Sequence, residues 1–211
     1  MARTSSLPQT SSDPEELRTK RLLDAGLAAF MRYGYRKTSM EEVARAAGLS
    51  RQGLYLHFAT KEELFRAVVR HYLVTGLEGV HARVSDHAGS IEARLVGAFD
   101  EWLGRFVGMI GADVTDLHEA TDQLVGPLIA EHEEKFVETV AKVIRGSKLS
   151  GAYKRAGLSA RQLADTLNAT AVGLKHACSS RRDFADRMGI AVRALCAIGE
   201  PGVRGRGDSD S

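Results

Sequence analysis

TSMEEVARAAGLSRQGLYLHFATKEEL, running from Thr38 to Leu64, is the stretch that decides the fold of this chain. Ser39 to Glu42 reads Ser-x-x-Glu, a capping box in which hydroxyl and carboxylate satisfy the free backbone donors of a helix start. Met40, Val43, Ala44 and Ala47 then recur at helical spacing and define one apolar face. Gly48 stops that helix, because glycine takes the left-handed conformation of a tight exit without steric cost. Leu49 plugs the corner and Ser50 is the next N-cap. Leu54 and Phe58, four apart, bury one side of the second helix, while Arg51, Gln52, Tyr55 and His57 point elsewhere. Thr60 to Glu63 is another capping box, opening a third helix. Two short helices joined at a glycine corner make a helix-turn-helix.

The outward face of the second helix has the chemistry that reads DNA. Arginine grips guanine O6 and N7 with two hydrogen bonds, and glutamine does the same to adenine N6 and N7. Arg51 and Gln52 are thus candidate base readers, Gly53 allows close approach to a groove wall, and Tyr55 also faces the groove. Thr38, Tyr55, His57 and Lys61 are candidate phosphate ligands, with Arg36 and Lys37 as weaker ones; such contacts fix register without reading sequence. The bland alternative is a helical corner with a solvated polar face.

GLSRQGLYLHFATKEEL resembles the DNA-binding signature of the TetR family of bacterial transcriptional regulators. That pattern is roughly Gly-hydrophobic-Ser-x-x-x-hydrophobic-Tyr-x-His-Phe-x-x-Lys-x-x-Leu, and every fixed position is present. The resemblance runs from about Glu15 to about Tyr72, roughly a quarter of the chain. It implies an all-α fold: an N-terminal three-helix helix-turn-helix domain and a C-terminal helical domain for ligand binding and dimerisation. It also implies that the fourth helix links ligand pocket to DNA-binding head.

Composition fits such a protein. Hydrophobic residues at 44% and charged residues at 27% are ordinary for a globular chain, so neither disorder nor a membrane bundle is indicated. No apolar run approaches the roughly 20 residues of a membrane span, and MARTSSLPQTSS has no secretory h-region. A cytoplasmic location without membrane association is expected. Two cysteines, Cys178 and Cys196, make no disulfide framework. Net charge is only +2, but residues 1–71 hold 12 Lys+Arg against 8 Asp+Glu, which puts the basic excess at the end with the motif.

In chain order, residues 1–12 read as a disordered arm and 13–60 as the DNA-binding domain, with Asp13 capping a first helix that carries Leu22, Ala25, Ala29, Phe30 and Tyr33 and ends at Gly34. Residues 61–84 form one long linking helix. Residues 85–198 make the ligand-binding and dimerisation domain. Within it, Ser90 caps a helix whose stripe of Leu95, Phe99, Trp102, Phe106 and Ile110 reaches to about Ile110. A short helix spans Thr115 to Val125, Gly126-Pro127 breaks it, and the next runs to Arg145. Residues 146–157 read as loop. A capping box at Ser159–Gln162 opens a helix bearing Leu163, Leu167, Leu174 and Ala177, and a last helix bears Phe184, Met188, Val192 and Leu195. Residues 199–211 read as a disordered tail.

The remaining chemistry-bearing clusters have two readings each. Phe99, Trp102, Phe106 and Met109, with His118 as a polar anchor, are either plain core or the walls of an effector cavity. Asp116, His118 and Glu119, near Asp113 and Asp122, are metal-ligand types, yet the usual zinc spacings are absent; a polar helix surface is the simpler account. Cys178 and Cys196 lack a clear activating pattern for redox use. No catalytic motif, cofactor site or metal site is indicated, and nothing argues for an enzyme.

The combined expectation is a ligand-responsive homodimer that binds a palindromic double-stranded operator as a repressor and is released by a small-molecule effector. Leu163, Leu167, Leu174, Met188, Val192 and Leu195 are the candidate dimer contacts. A helical protein-interaction module and a ligand-independent DNA-binding activator are the alternatives.

Overall fold

The computed structural model describes residues 14–109 and 115–197. The expected arm at 1–12, the Asp13 cap, Ile110, Asp113 and the tail from 199 lie outside them. The described residues form helices α1 (Pro14–Lys37), α2 (Met40–Ala46), α3 (Arg51–His57), α4 (Lys61–Ser85), α5 (Ile91–Trp102), α6 (Thr115–Arg145), α7 (Leu149–Arg155), α8 (Ala160–Ala177) and α9 (Arg181–Ala197), with a 3-10 turn at Gly104–Phe106. No strand occurs among them. The chain divides into two compact units, Met1–His71 with Gly111–Val125 and Tyr72–Ile110 with Gly126–Ser211.

The first unit is built on Leu22, Leu23 and Phe30 of α1, Met40, Val43 and Ala44 of α2, Leu54 of α3, and Leu64, Phe65 and Val68 of α4, all buried. Phe30 meets Phe65 edge-on at 5.0 Å, and Tyr35 meets Phe65 edge-on at 5.2 Å. Gly26 makes this packing close: a Cβ there would stand 2.8 Å from Val68 Cγ2. The α1 helix is interrupted at Gly34, whose φ of 82° breaks the helical path. Tyr33 was expected on the buried face; it is exposed instead, under the Arg32 guanidinium, and Tyr35 beyond the break, itself half-buried, packs on Phe30 and Phe65.

The second unit closes on an aromatic cluster. Trp102 stacks on Phe136 with centroids 5.0 Å apart and planes 13° apart, and Phe99 meets the same ring edge-on at 5.1 Å. Around it pack Val80 of α4, Leu95 of α5, Val140 and Ile144 of α6, Leu163 and Leu167 of α8, and Phe184, Met188 and Val192 of α9. Arg181 at the start of α9 makes a two-pronged pair with Asp100 of α5, with contacts of 2.9 and 2.7 Å.

Three expectations about elements are corrected. First, α6 runs unbroken through Pro127. A proline removes one backbone donor and pushes the preceding turn outward but need not end a helix with tertiary support at both ends. Just before it, the Leu124 carbonyl accepts a hydrogen bond from the Arg66 guanidinium. Second, residues 146–157 are not loop: α7 forms because Leu149 and Tyr153, four apart, are both buried, and the Tyr153 hydroxyl donates to Leu195 O at 2.7 Å. Third, α5 stops at Trp102, eight residues before Ile110. Gly104 then lies so close to its surroundings that a Cβ would stand 2.4 Å from Asp100 Oδ1 and 2.9 Å from Phe184 Cδ1.

Candidate nucleic-acid interface

The helix-turn-helix closes with few loose ends. Ser39 and Glu42 form the reciprocal capping box, and the bonds it donates to the carboxylate hold the Glu42 acid below its usual range. At the corner Gly48 has φ 70°. Leu49 N–H donates to Ala44 O at 2.8 Å and Gly48 N–H to Arg45 O at 3.1 Å, a Schellman exit that satisfies the last carbonyls of α2. Ser50 Oγ accepts from Gly53 N–H at 3.0 Å and starts α3. At Thr60 the box is displaced by one residue: Glu63 N–H donates to Thr60 Oγ1, but the Glu63 carboxylate accepts from Ala59 N–H at 2.8 Å.

These caps fix which way α3 points. Leu54 is fully buried, while Arg51, Gln52, Tyr55 and His57 are exposed on the remaining faces, with Gly53 half-buried. The Arg51 guanidinium lies over the Tyr55 ring, 5.7 Å from its centroid, which restrains both side chains. Phe58 falls just beyond α3 in an extended conformation and is only half-buried, short of the deep anchor expected. One exposed residue was missed. Leu56 is 83% exposed, and its position two residues from Leu54, about 200° round the helix, is the signal that marks it as outward.

Two phosphate candidates are corrected. Thr38 is 2% exposed, and its hydroxyl lies 2.7 Å from Gly34 O and 3.1 Å from Ala29 O, so it is spent on the end of α1. The Lys61 ammonium donates to the carbonyls of Tyr35, Arg36 and Thr38 at 3.0, 3.2 and 3.2 Å and sits 4.7 Å from the Tyr35 ring centroid. An ammonium has three hydrogens, and here three carbonyls take them. Lys61 therefore ties the α1–α2 junction to the first turn of α4. Arg36 is also engaged: its guanidinium pairs with Glu119 at 2.9 Å and its backbone N–H donates to Asp116 Oδ2 at 2.6 Å. Lys37 is exposed beside it.

Those contacts also account for the acidic cluster. Asp116 and Glu119 serve Arg36, His118 is exposed, and no group of three potential metal ligands occurs among the described residues. Of the expected effector-wall residues in the second unit, Phe99 and Trp102 share one aromatic cluster. Phe99 and Trp102 are buried in the core on Phe136; Phe106 turns to Tyr72, with centroids 6.1 Å apart; Met109 is exposed; His118 belongs to the first unit. Cys178 and Cys196 are free, buried thiols, each pushed up by burial, which disfavours the reactive thiolate. Among the candidate dimer contacts Leu163, Leu167, Met188, Val192 and Leu195 are buried within this single chain, and only Leu174 is partly open. The outward face of α8 and α9 is different: Ala169, Val172, Gly173, Ile190, Ala194 and Ala197.

Residues 22–68 match the model of the bacterial regulatory proteins of the tetR family. This head is a TetR-family DNA-binding domain. The matched segment begins in α1 and ends in α4, so it contains both caps, the glycine corner and all of α3. Related sequences include the HTH-type transcriptional activator FasR of Mycolicibacterium smegmatis, 33% identical over 90 residues, which are 41% of this chain and 41% of that one. The transcriptional repressor Rv1474c of Mycobacterium tuberculosis is 34% identical over 64 residues, covering 30% of this chain and 34% of its own length. The chain thus spans well under half of the curated relatives it matches. Solved structures share the fold at low identity. A TetR-like regulator from Rhodococcus sp. RHA1 aligns with TM-score 0.59 and 24% identity over 91% of this chain and 99% of that one. AibR, in complex with isovaleryl coenzyme A and operator DNA, aligns with TM-score 0.54 and 19% identity over 82% and 96%.

Proposed function

We propose that this chain is a dimeric transcriptional regulator, a repressor that binds a two-fold related DNA operator and leaves it when a small molecule binds the C-terminal helices. The exposed Arg51–Tyr55 face of α3, presented by a capped helix-turn-helix in the segment that matches the TetR family, carries this reading. Arg51, Gln52, Gly53 and Tyr55 meet base edges, while Tyr55, His57 and Lys37 reach phosphates. Arg36 joins them when it leaves Glu119.

The dimer forms through the outward face of α8 and α9, where Val172 is 41% and Ile190 61% exposed between small residues, and where Gly173 opens onto free space. Two heads related by a two-fold axis require a palindromic or near-palindromic site. An effector weakens binding only if it prefers the state that DNA does not. The AibR complex, which holds both an acyl coenzyme A and operator DNA, supports a ligand-responsive reading. FasR is named an activator and Rv1474c a repressor, so a DNA-binding activator is the second reading.

Selection of bound duplexes from random DNA, repeated with a metabolite library, tests the proposal. A palindromic consensus, released by a metabolite, is expected. Arg51→Ala and Gln52→Ala should each relax preference at one position of that consensus, at a cost of about 1–3 kcal/mol. Binding without sequence preference, or equal weakening by both variants on specific and random DNA, would refute it. A reporter gene carrying the selected operator decides between repression and activation.

A further inference from the structure

We infer that Leu56 is a base-reading residue that packs against the C5-methyl group of a thymine. The inference rests on the DNA-binding reading of α3 and adds to it the base that this position selects. A lone exposed leucine needs no explanation. Leu56 differs by its place. It is 83% exposed, the highest value among the exposed large apolar side chains of the described residues, with Ile190 next at 61%. It lies on the seven-residue helix Arg51–His57, whose inner side is fixed by the fully buried Leu54. At about 100° per residue, Gln52 and Leu56 stand about 20° to either side of the direction opposite Leu54. Arg51 and Tyr55, stacked on each other, form one shoulder of the helix, and Gly53 and His57 form the other. The two side chains that project furthest from the core are therefore Gln52 and Leu56.

Chemistry restricts what Leu56 meets in a major groove. It has no donor or acceptor, so it neither holds a phosphate nor pairs with the polar atoms of a base edge. The thymine methyl is the apolar group those edges present. Four residues of helix rise about 6 Å, close to two base steps of about 3.4 Å. The thymine thus lies within about two base pairs of the pair that Gln52 reads.

Replacing each thymine of the selected operator by deoxyuridine, one at a time, removes a methyl and leaves pairing intact. Fluorescence anisotropy of the full-length protein then measures Kd on each duplex and on random DNA. Burial of one methyl is worth about fourfold in an equilibrium constant. At one position in each half-site the wild-type protein should lose about fourfold, and Leu56→Ala should be indifferent to the same methyl. Affinity for random DNA should stay near wild type in Leu56→Ala, which shows that the head is folded. The inference is overturned if no methyl matters to the wild-type protein, or if Leu56→Ala keeps the discrimination. It is equally overturned if the variant weakens random and selected DNA alike, or changes only the oligomeric state. Absence of any selected operator would refute the DNA-binding reading itself, whereas an operator with methyl-blind binding refutes only the role of Leu56.

Discussion

Arg36 and Glu119 form an ion pair at 2.9 Å between the end of α1 and the start of α6. Two residues earlier Gly34 makes room for Asp116, whose carboxylate accepts the Arg36 backbone N–H. The proposed phosphate contact of Arg36 therefore competes with a carboxylate of its own chain. The pair is exposed, with side-chain accessibilities of 76% and 53%, so it contributes about 1 kcal/mol or less to folding. Its larger consequence is for DNA, since releasing Arg36 adds a cation and removing Glu119 deletes an anion.

Glu119→Gln should accordingly leave the melting temperature near wild type and tighten binding to operator and random duplex alike. The slope of log K against log salt should steepen by about 1 per subunit if Arg36 then reaches a phosphate. Anisotropy titrations at several salt concentrations measure it. An unchanged slope would remove Arg36 from the interface.

Lys61→Ala should act on stability instead. Three carbonyls at the α1–α2 junction lose their donor, and hydrogen bonds to a charged group are worth about 1.5–3 kcal/mol each before solvent replaces part of that. A lower urea midpoint with an unchanged salt slope is expected. A slope reduced by about 1, with stability intact, would return Lys61 to the phosphates.

The dimer face is tested by a contrast between two kinds of position. Ile190→Glu and Val172→Glu, on the outward side of α9 and α8, should give folded monomers by sedimentation and abolish tight operator binding. Val192→Glu, with the same chemistry at a fully buried position, should unfold the second unit. Folded dimers for both outward variants would exclude this face.

Lys175 offers a test of pH dependence. Burial holds its ammonium below the usual lysine range. The folded state therefore binds fewer protons than the unfolded state between that lowered value and about 10.5, and stability rises with pH across the window. Below it the penalty is fully present. Lys175→Met should raise the melting temperature at neutral pH, with an advantage that shrinks as pH approaches 10.5. A variant less stable at neutral pH would show that the ammonium is paired in solution.

How much of this was legible in the sequence depended on how local the cause was. Ser39–Glu42, Gly48, Ser50 and Ser159–Gln162 were readable because caps and corners are set by residues three or four apart. Thr38 and Lys61 were misread because a hydroxyl and an ammonium beside a DNA-reading motif look like phosphate ligands. The Lys61 acceptors are backbone carbonyls 23 to 26 residues away, which no spacing rule reveals, whereas the Thr38 hydroxyl turns back four residues onto Gly34 O, a local bond that the phosphate reading passed over. Leu163, Met188 and Val192 illustrate another limit. An apolar stripe shows that a helix buries one face, but not whether its own chain or a second copy covers it. Pro127 and α7 failed because tertiary packing outweighed the local signals for a break and a loop.

Gly34 carries a genetic consequence. Two separate obstacles oppose any side chain there: a φ of 82°, and an Asp116 Oδ1 that would stand 2.2 Å from a new Cβ. A suppressor search starting from Gly34→Ala should thus recover changes at Asp116, because a shorter residue there clears the collision. Such second-site revertants will be incomplete. No substitution at residue 116 relieves the backbone angle, so growth or reporter output should settle between the mutant and wild-type levels, and full recovery should require reversion of codon 34 itself.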